Sequence, residues 1–149
     1  MRAVVQRVRD CSVAVAGRAV GSIGSGLLVY LGVGRGDTDA AVPPLVDKVV
    51  NLRIFADEAG KMNRSVKDAG GAVLVVPQFT LFGDVRDGRR PSYTAAAEPA
   101  IARRLYEAVM RGIAAEGVEV SGGEFQAKMD VAYVNEGPVT ILIDTEKTF

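Results

Sequence analysis

The chain contains no histidine, and that absence removes more chemistry than any other feature of its composition. A Ser-His-Asp triad, a Cys-His pair and every histidine-ligated metal site are excluded together. One cysteine, Cys11, cannot form an internal disulfide, and in the alternating stretch Cys11-Ser12-Val13-Ala14-Val15 it reads as a small buried strand residue. Neither sign of charge dominates: 18 basic and 18 acidic side chains cancel, so affinity for nucleic acid has to come from local clustering. Long apolar runs are missing as well. The longest stretch without a charge, Ala19 to Gly34, is rich in Gly and Ser and falls short of the ~20 apolar residues that a bilayer requires. No membrane segment is expected. The charges of Met1-Arg2-Ala3-Val4-Val5-Gln6-Arg7 leave no room for a signal-peptide core, so a cytosolic product is expected.

What is present is the make-up of one globular domain over residues 1–149, with 48% hydrophobic and 24% charged residues. Arg2 to Val8 and Cys11 to Ala16 read as strands, and Ala16-Gly17-Arg18 as a turn into a short strand around Ala19-Val20. After Gly24-Ser25-Gly26, the apolar run Gly26 to Val33 is too short for a helix and fits a strand covered on both faces. Thr38 or Asp39 can cap the next element, and Pro43 and Pro44 are tolerable only in its first turn. Leu45, Val46, Val49, Val50 and Ile54 then follow helical spacing. Asp57 to Lys61 and Asp68 to Gly71 are polar turns, and the strand Ala72 to Val76 runs straight into Pro77-Gln78-Phe79-Thr80. Glu98-Pro99 opens the longest helix, with Ile101, Leu105, Ala108, Val109 and Ile113 on one stripe that ends near Gly117. Ala127 to Val134 and Val139 to Asp144 both alternate, with Asn135-Glu136-Gly137-Pro138 between them as the turn of a possible hairpin. About eight strands and two substantial helices result. The expected fold is α/β: a curved mixed sheet or two-layer β core with the two helices packed on one side.

Several motifs fail. Gly32-Val33-Gly34-Arg35-Gly36 lacks the spacing of a dinucleotide fingerprint, and no Gly-Lys-Ser/Thr phosphate loop exists. Arg35-Gly36-Asp37 reads as an exposed turn, and Asp57-Glu58 lacks the rest of a calcium loop. No metal and no cofactor are expected.

Val75-Val76-Pro77-Gln78-Phe79-Thr80-Leu81-Phe82-Gly83-Asp84, then Gly88-Arg89-Arg90-Pro91-Ser92-Tyr93, then Asn135-Glu136-Gly137-Pro138-Val139-Thr140, resembles the D-aminoacyl-tRNA deacylase family. The start, Met1 to Val8, and Asn51-Leu52-Arg53-Ile54-Phe55 with Gly60-Lys61-Met62-Asn63 are similar to the same family, so the resemblance covers essentially the whole chain. It implies a homodimeric esterase that frees tRNA from a misattached D-amino acid or glycine at its acceptor end, a proofreading step in translation. It further implies that Gln78, Phe79 and Thr80 carry the catalytic segment and that the partner subunit's Gly137 and Pro138 complete the pocket. In the family the Gly-Pro peptide is cis, with two carbonyls crowding the place of an L side chain. Selection by exclusion of this kind accommodates glycine and many D side chains with one device.

The missing histidine agrees with this chemistry. The aminoacyl ester is labile, and the family is thought to use the tRNA's own 2′-hydroxyl to help activate water. The protein then positions the ester and stabilises the oxyanion through backbone N–H groups near Phe79 and Thr80. Nucleophilic attack by Thr80 is the weaker reading, because nothing in the sequence supplies a base to take its proton. Arg86, Arg89 and Arg90 follow the catalytic strand closely enough to hold acceptor-end phosphates. Met129 is placed on the strand face that lines the pocket. One departure stands out: Pro77 occupies the position where the family usually carries Ser, removing a hydroxyl and an N–H. Substrate preference is the property it touches. The alternatives it raises are a deacylase with L-tolerant specificity and a non-catalytic tRNA or amino-acid binding homologue.

Overall fold

The computed structural model describes residues 1–149. In chain order the elements are β1 (Arg2–Val15), β2 (Arg18–Ile23), β3 (Gly26–Gly32), α1 (Val42–Asn51), β4 (Phe55–Ala56), β5 (Met62–Arg64), α2 (Val66–Ala69), β6 (Ala72–Pro77), α3 (Pro99–Ala115), β7 (Val120–Gly122) and β8 (Asp130–Asp144).

The apolar run after Gly26 forms a central strand buried on both faces, as its composition requires. On one face Leu27, Val29 and Leu31 join the larger core cluster with Val73 and Val75 of β6 and with α1 and α3. On the other, Leu28 joins Leu74 and Val76 in a second cluster with Val8, Cys11 and Val13. β3 and β6 are parallel neighbours, and β7 extends the sheet in parallel beyond β6. β1 is antiparallel to β3 on one side and to β8 on the other. Beyond Val8 it leaves β3 and pairs with β2 instead, and β2 curls back to touch β6 and β7. The mixed sheet thereby approaches a barrel, with both main helices on its outer face, as expected.

α1 lays Leu45, Val46, Val49 and Val50 on the sheet. Fully burying side chains of this size is worth about 1.5–3 kcal/mol each, more than the helix could gain from intrinsic propensity. Its two prolines fall in the first turn, where no N–H is missed. α3 packs beside it through Leu105, Tyr106, Val109 and Ile113.

The structure departs from the sequence reading in several places, among them the start of α1, where Ala41 and neither Thr38 nor Asp39 stands at the cap. Arg2 to Val8 and Cys11 to Val15 are one strand, not two, and Ala16 lies in the turn after it. Ala3 and Val5 face the helix-side core while Val8, Cys11 and Val13 face the second cluster, and the exposed pair Arg9-Asp10 absorbs the change of parity as a bulge. Likewise Asp130 to Val134 and Val139 to Asp144 belong to the single strand β8, which leaves Ala127 to Met129 outside it, and they pair with β1 and not with each other. Asp68 lies in the one-turn helix α2, where Ser65 and Asp68 form a reciprocal capping box before Gly70 adopts a left-handed φ. Ile54 is buried but lies beyond α1, and Ile101 is 43% exposed, outside the buried stripe of α3.

Candidate active site

β6 delivers its last residues to a cavity of about 660 Å³ that is mostly apolar. The strand end is anchored where the Gln78 N–H donates to the Leu31 carbonyl at 2.8 Å. Phe79 to Phe82 then form a single 3₁₀ turn. Within it Leu81 N–H donates to the Gln78 carbonyl (3.3 Å), Gly83 N–H to the Thr80 carbonyl (2.9 Å), and the Gln78 side-chain amide to the Thr80 hydroxyl.

Two aromatic pairs line the cavity. In one, the Phe79 and Tyr93 rings meet edge to face at 5.0 Å, a favourable quadrupolar arrangement. In the other, Tyr106 of α3 and Phe125 lie 6.2 Å apart, with the Arg103 guanidinium 5.0 Å from the Phe125 ring. Tyr106 donates its hydroxyl to the Val75 carbonyl at 3.0 Å, which pins the floor of the site to β6. Burial pushes the Tyr106 hydroxyl up to about 12, so it stays a neutral donor. Pro77, Val76 and Met129 complete the side nearest the sheet, and the Glu124 N–H approaches Met129 Sδ at 3.4 Å. Arg35 and Glu98 are the charged residues of the lining.

Gly137 and Pro138 lie elsewhere. Asn135 pairs with Val8 and Thr140 with Gln6, so Glu136 to Val139 face Arg7 alone and bulge away from β1. The Asn135 side chain closes the base of this bulge: its Oδ1 accepts from Val139 N–H at 3.1 Å and its Nδ2 donates to the Thr140 hydroxyl at 3.2 Å. Arg7 braces the bulge by donating to the Glu136 carbonyl (3.1 Å) and to the Ile54 carbonyl (2.6 Å). The Gly137–Pro138 peptide is cis, and Gly137 has φ +131°, a conformation open chiefly to glycine. The segment expected as a hairpin turn is therefore a protrusion on a continuous strand.

The fold brings Pro77, Gln78, Phe79 and Met129 around one cavity. Thr80 is next to it, exposed and tied to Gln78. Gly137 and Pro138 are not part of this chain's own cavity. Arg86, Arg89 and Arg90 are exposed in the loop after the turn. Arg86 is held to Asp84 through its Nε at 2.9 Å, and this contact draws the Asp84 carboxyl down to about 2. Sequence reasoning missed Tyr93, Tyr106, Phe125 and Arg35 as lining residues. The available signal was aromatic: Tyr93 sits in the Pro91-Ser92-Tyr93 string, and Phe125 follows a glycine pair in a loop. Tyr106 is hidden beside Leu105 in what looks like an ordinary helix stripe.

No helix is long and apolar enough to cross a membrane. A D-aminoacyl-tRNA deacylase of Desulfitobacterium hafniense (strain DSM 10664 / DCB-2) is 56% identical over all 149 residues and the full length of that protein. One from Symbiobacterium thermophilum is 56% identical over 100% of this chain and 99% of its own. Among solved structures, the c-Myc DNA Unwinding Element Binding Protein is 37% identical with TM-score 0.90, covering 97% of this chain and 98% of that one. A probable eukaryotic D-amino acid tRNA deacylase, 20% identical, has the same fold at TM-score 0.84 over 95% and 97% of the two chains. Residues 4–144 match the family described as D-Tyr-tRNA(Tyr) deacylase, and with relatives of this identity over its whole length the chain belongs to that family of aminoacyl-tRNA ester hydrolases.

Proposed function

We propose that this chain hydrolyses the ester of D-aminoacyl-tRNA, and of glycine mischarged on tRNA, and leaves correctly charged L-aminoacyl-tRNA intact. The observation that carries the reading is the cavity with Gln78 and Phe79 at its edge, in a chain that matches the deacylase family from end to end. The Gln78–Leu81 turn holds the ester carbonyl. Phe79 and Thr80 open a 3₁₀ turn, where the first N–H groups have no partner within the turn, and they supply the donors for the oxyanion. The neighbouring ribose 2′-hydroxyl of the tRNA assists water, so no side-chain base is called upon, and Thr80 acts by position.

In this reading the enzyme works as a homodimer. Gly137 and Pro138 project from one copy toward the cavity of the other and exclude L side chains, while Met129 supports the pocket wall. Two features favour a second copy: the Gly137-Pro138 protrusion stands apart from its own cavity, and β8 leaves Tyr133 and Leu142 exposed, the latter by 59%. Arg89 and Arg90, with Arg86 beside them, contact phosphates at the acceptor end.

The test is hydrolysis of D-tyrosyl-, L-tyrosyl- and glycyl-tRNA by the purified protein. Turnover of the D and glycyl esters with the L ester spared is expected, and binding without hydrolysis of any of the three overturns the enzyme reading. Pro77 lies in the cavity wall where a serine hydroxyl is usual in the family. The L-tyrosyl arm reads any shift in specificity that it causes.

A further inference from the structure

We infer that Arg2 is the positioning residue of the Gln78–Leu81 turn, fixing from the first strand where that turn stands relative to the substrate. The inference rests on the reading of the turn as the element that holds the ester.

The hydrogen bonds inside the turn set its shape but not its place. Its entry is tied by Gln78 N–H to Leu31. Its far end is tied by Arg2, whose Nη1 donates to the Leu81 carbonyl at 3.1 Å. That is the one side-chain hydrogen bond reaching the turn from elsewhere in the chain, across 79 positions of sequence. Arg2 is placed for the task by register, lying opposite Gly32 of β3 on one side and Asp144 of β8 on the other.

The surroundings aim the guanidinium without competing for it. Its carbon sits 4.6 Å from the centre of the Phe82 ring and 5.8 Å from that of Phe149. The Asp144 carboxylate stands 3.7 Å from Nε, too far for a hydrogen bond, and buried Nε has no other partner. Asp144 is itself immobilised by the Glu146 N–H at 2.9 Å and by the Thr148 hydroxyl. Stacking and ionic attraction thus orient a group whose only hydrogen bond goes to the turn. A planar guanidinium meets these demands and an ammonium meets only some of them. Because a 1 Å misplacement of a catalytic element can cost about 10²-fold in rate, a single anchor at the end of a short turn has leverage on kcat.

The experiment compares Arg2→Met, which keeps an apolar stem over Phe82 and removes the donors, with Arg2→Lys and with Phe79→Pro, which removes the Phe79 N–H assigned to the oxyanion. Deacylation of D-tyrosyl-tRNA gives kcat and KM, and hydrogen exchange gives local opening. Arg2→Met is expected to lower kcat by about 10- to 100-fold with KM within about twofold. The amides of Leu81 and Gly83 are expected to exchange at least about tenfold faster, while Val73 to Val76 keep their protection. Arg2→Lys recovers part of both effects. Unchanged exchange at Leu81 and Gly83 overturns the inference, and so does faster exchange spread through β6, which marks a merely structural residue. Altered exchange with unchanged kcat overturns it as well, provided Phe79→Pro is inactive. Full activity in Phe79→Pro instead overturns the reading of the turn itself, and the exchange data then still report on the anchor.

Discussion

Gly32 offers the sharpest test of how closely the turn is held. A methyl group on it would stand 3.0 Å from the Gln78 carbonyl oxygen, 3.1 Å from Leu81 Cβ and 3.2 Å from Phe82 Cδ2. Carbon pairs settle at about 3.5–4.0 Å, so in Gly32→Ala the turn has to retreat by about 0.3–0.5 Å. Overpacking on this scale costs about 1–3 kcal/mol, which for a chain of 149 residues lowers Tm by about 3–10 °C. Taking about 100-fold in rate per ångström of misplacement as log-linear, the same shift lowers kcat about 4- to 10-fold. The two readouts have separate origins: Tm reports the strain and kcat the displacement. Thermal unfolding and single-turnover deacylation of D-tyrosyl-tRNA measure both. The reasoning is refuted if Gly32→Ala loses the expected stability and keeps full kcat, because the turn would then have moved without consequence for the chemistry.

Three further outcomes are expected. Burial raises the Tyr106 hydroxyl from 10.0 to about 12, so it adds stability in full below pH 10 that is lost as pH rises toward 12. About 3 kcal/mol is at stake, and urea titrations should find a shallower alkaline loss in Tyr106→Phe than in the parent; equal slopes would count against the assignment. Burial pulls the Asp144 carboxyl up, but the Thr148 hydroxyl, the Glu146 and Thr148 amides and Arg2 together hold it below 3.8. Its contribution is therefore present above that pH and fades as pH falls through the folded value, so the stability gap between the parent and Asp144→Asn should close in acid. Leu142→Lys, placed on the exposed face of β8, is expected to shift the hydrodynamic mass toward the monomer and to lose deacylation in step, and a fully active monomer would rule out a pocket shared between copies.

Much of the frame was legible from local pattern. The unbroken apolar run of β3, the prolines confined to the first turns of α1 and α3, and the Val73–Val76 core strand ending at Pro77 each follow from rules spanning a few residues. The misread places share one cause. At Arg9-Asp10 and at Glu136 to Val139 the alternation breaks, and a break is equally compatible with a turn and with a bulge in a longer strand. Only pairing with a neighbour decides between them, and here both halves of β8 run along the same β1.

The sequence by itself determined which chemistry is closed to this chain: without histidine, no imidazole serves as base, nucleophile partner or metal ligand. It also singled out Gln78 to Thr80 and Gly137-Pro138 as candidate site segments, but only through their combination in strings that resemble the deacylase family, since each alone reads as an ordinary strand end or turn. The tertiary structure alone decided that Tyr93, Tyr106 and Phe125 wall the cavity, that Arg2 reaches Leu81, and that Gly137-Pro138 is no part of the lining of its own pocket. Those facts depend on strand register and sheet curvature, which bring together residues tens of positions apart, and no local periodicity encodes that.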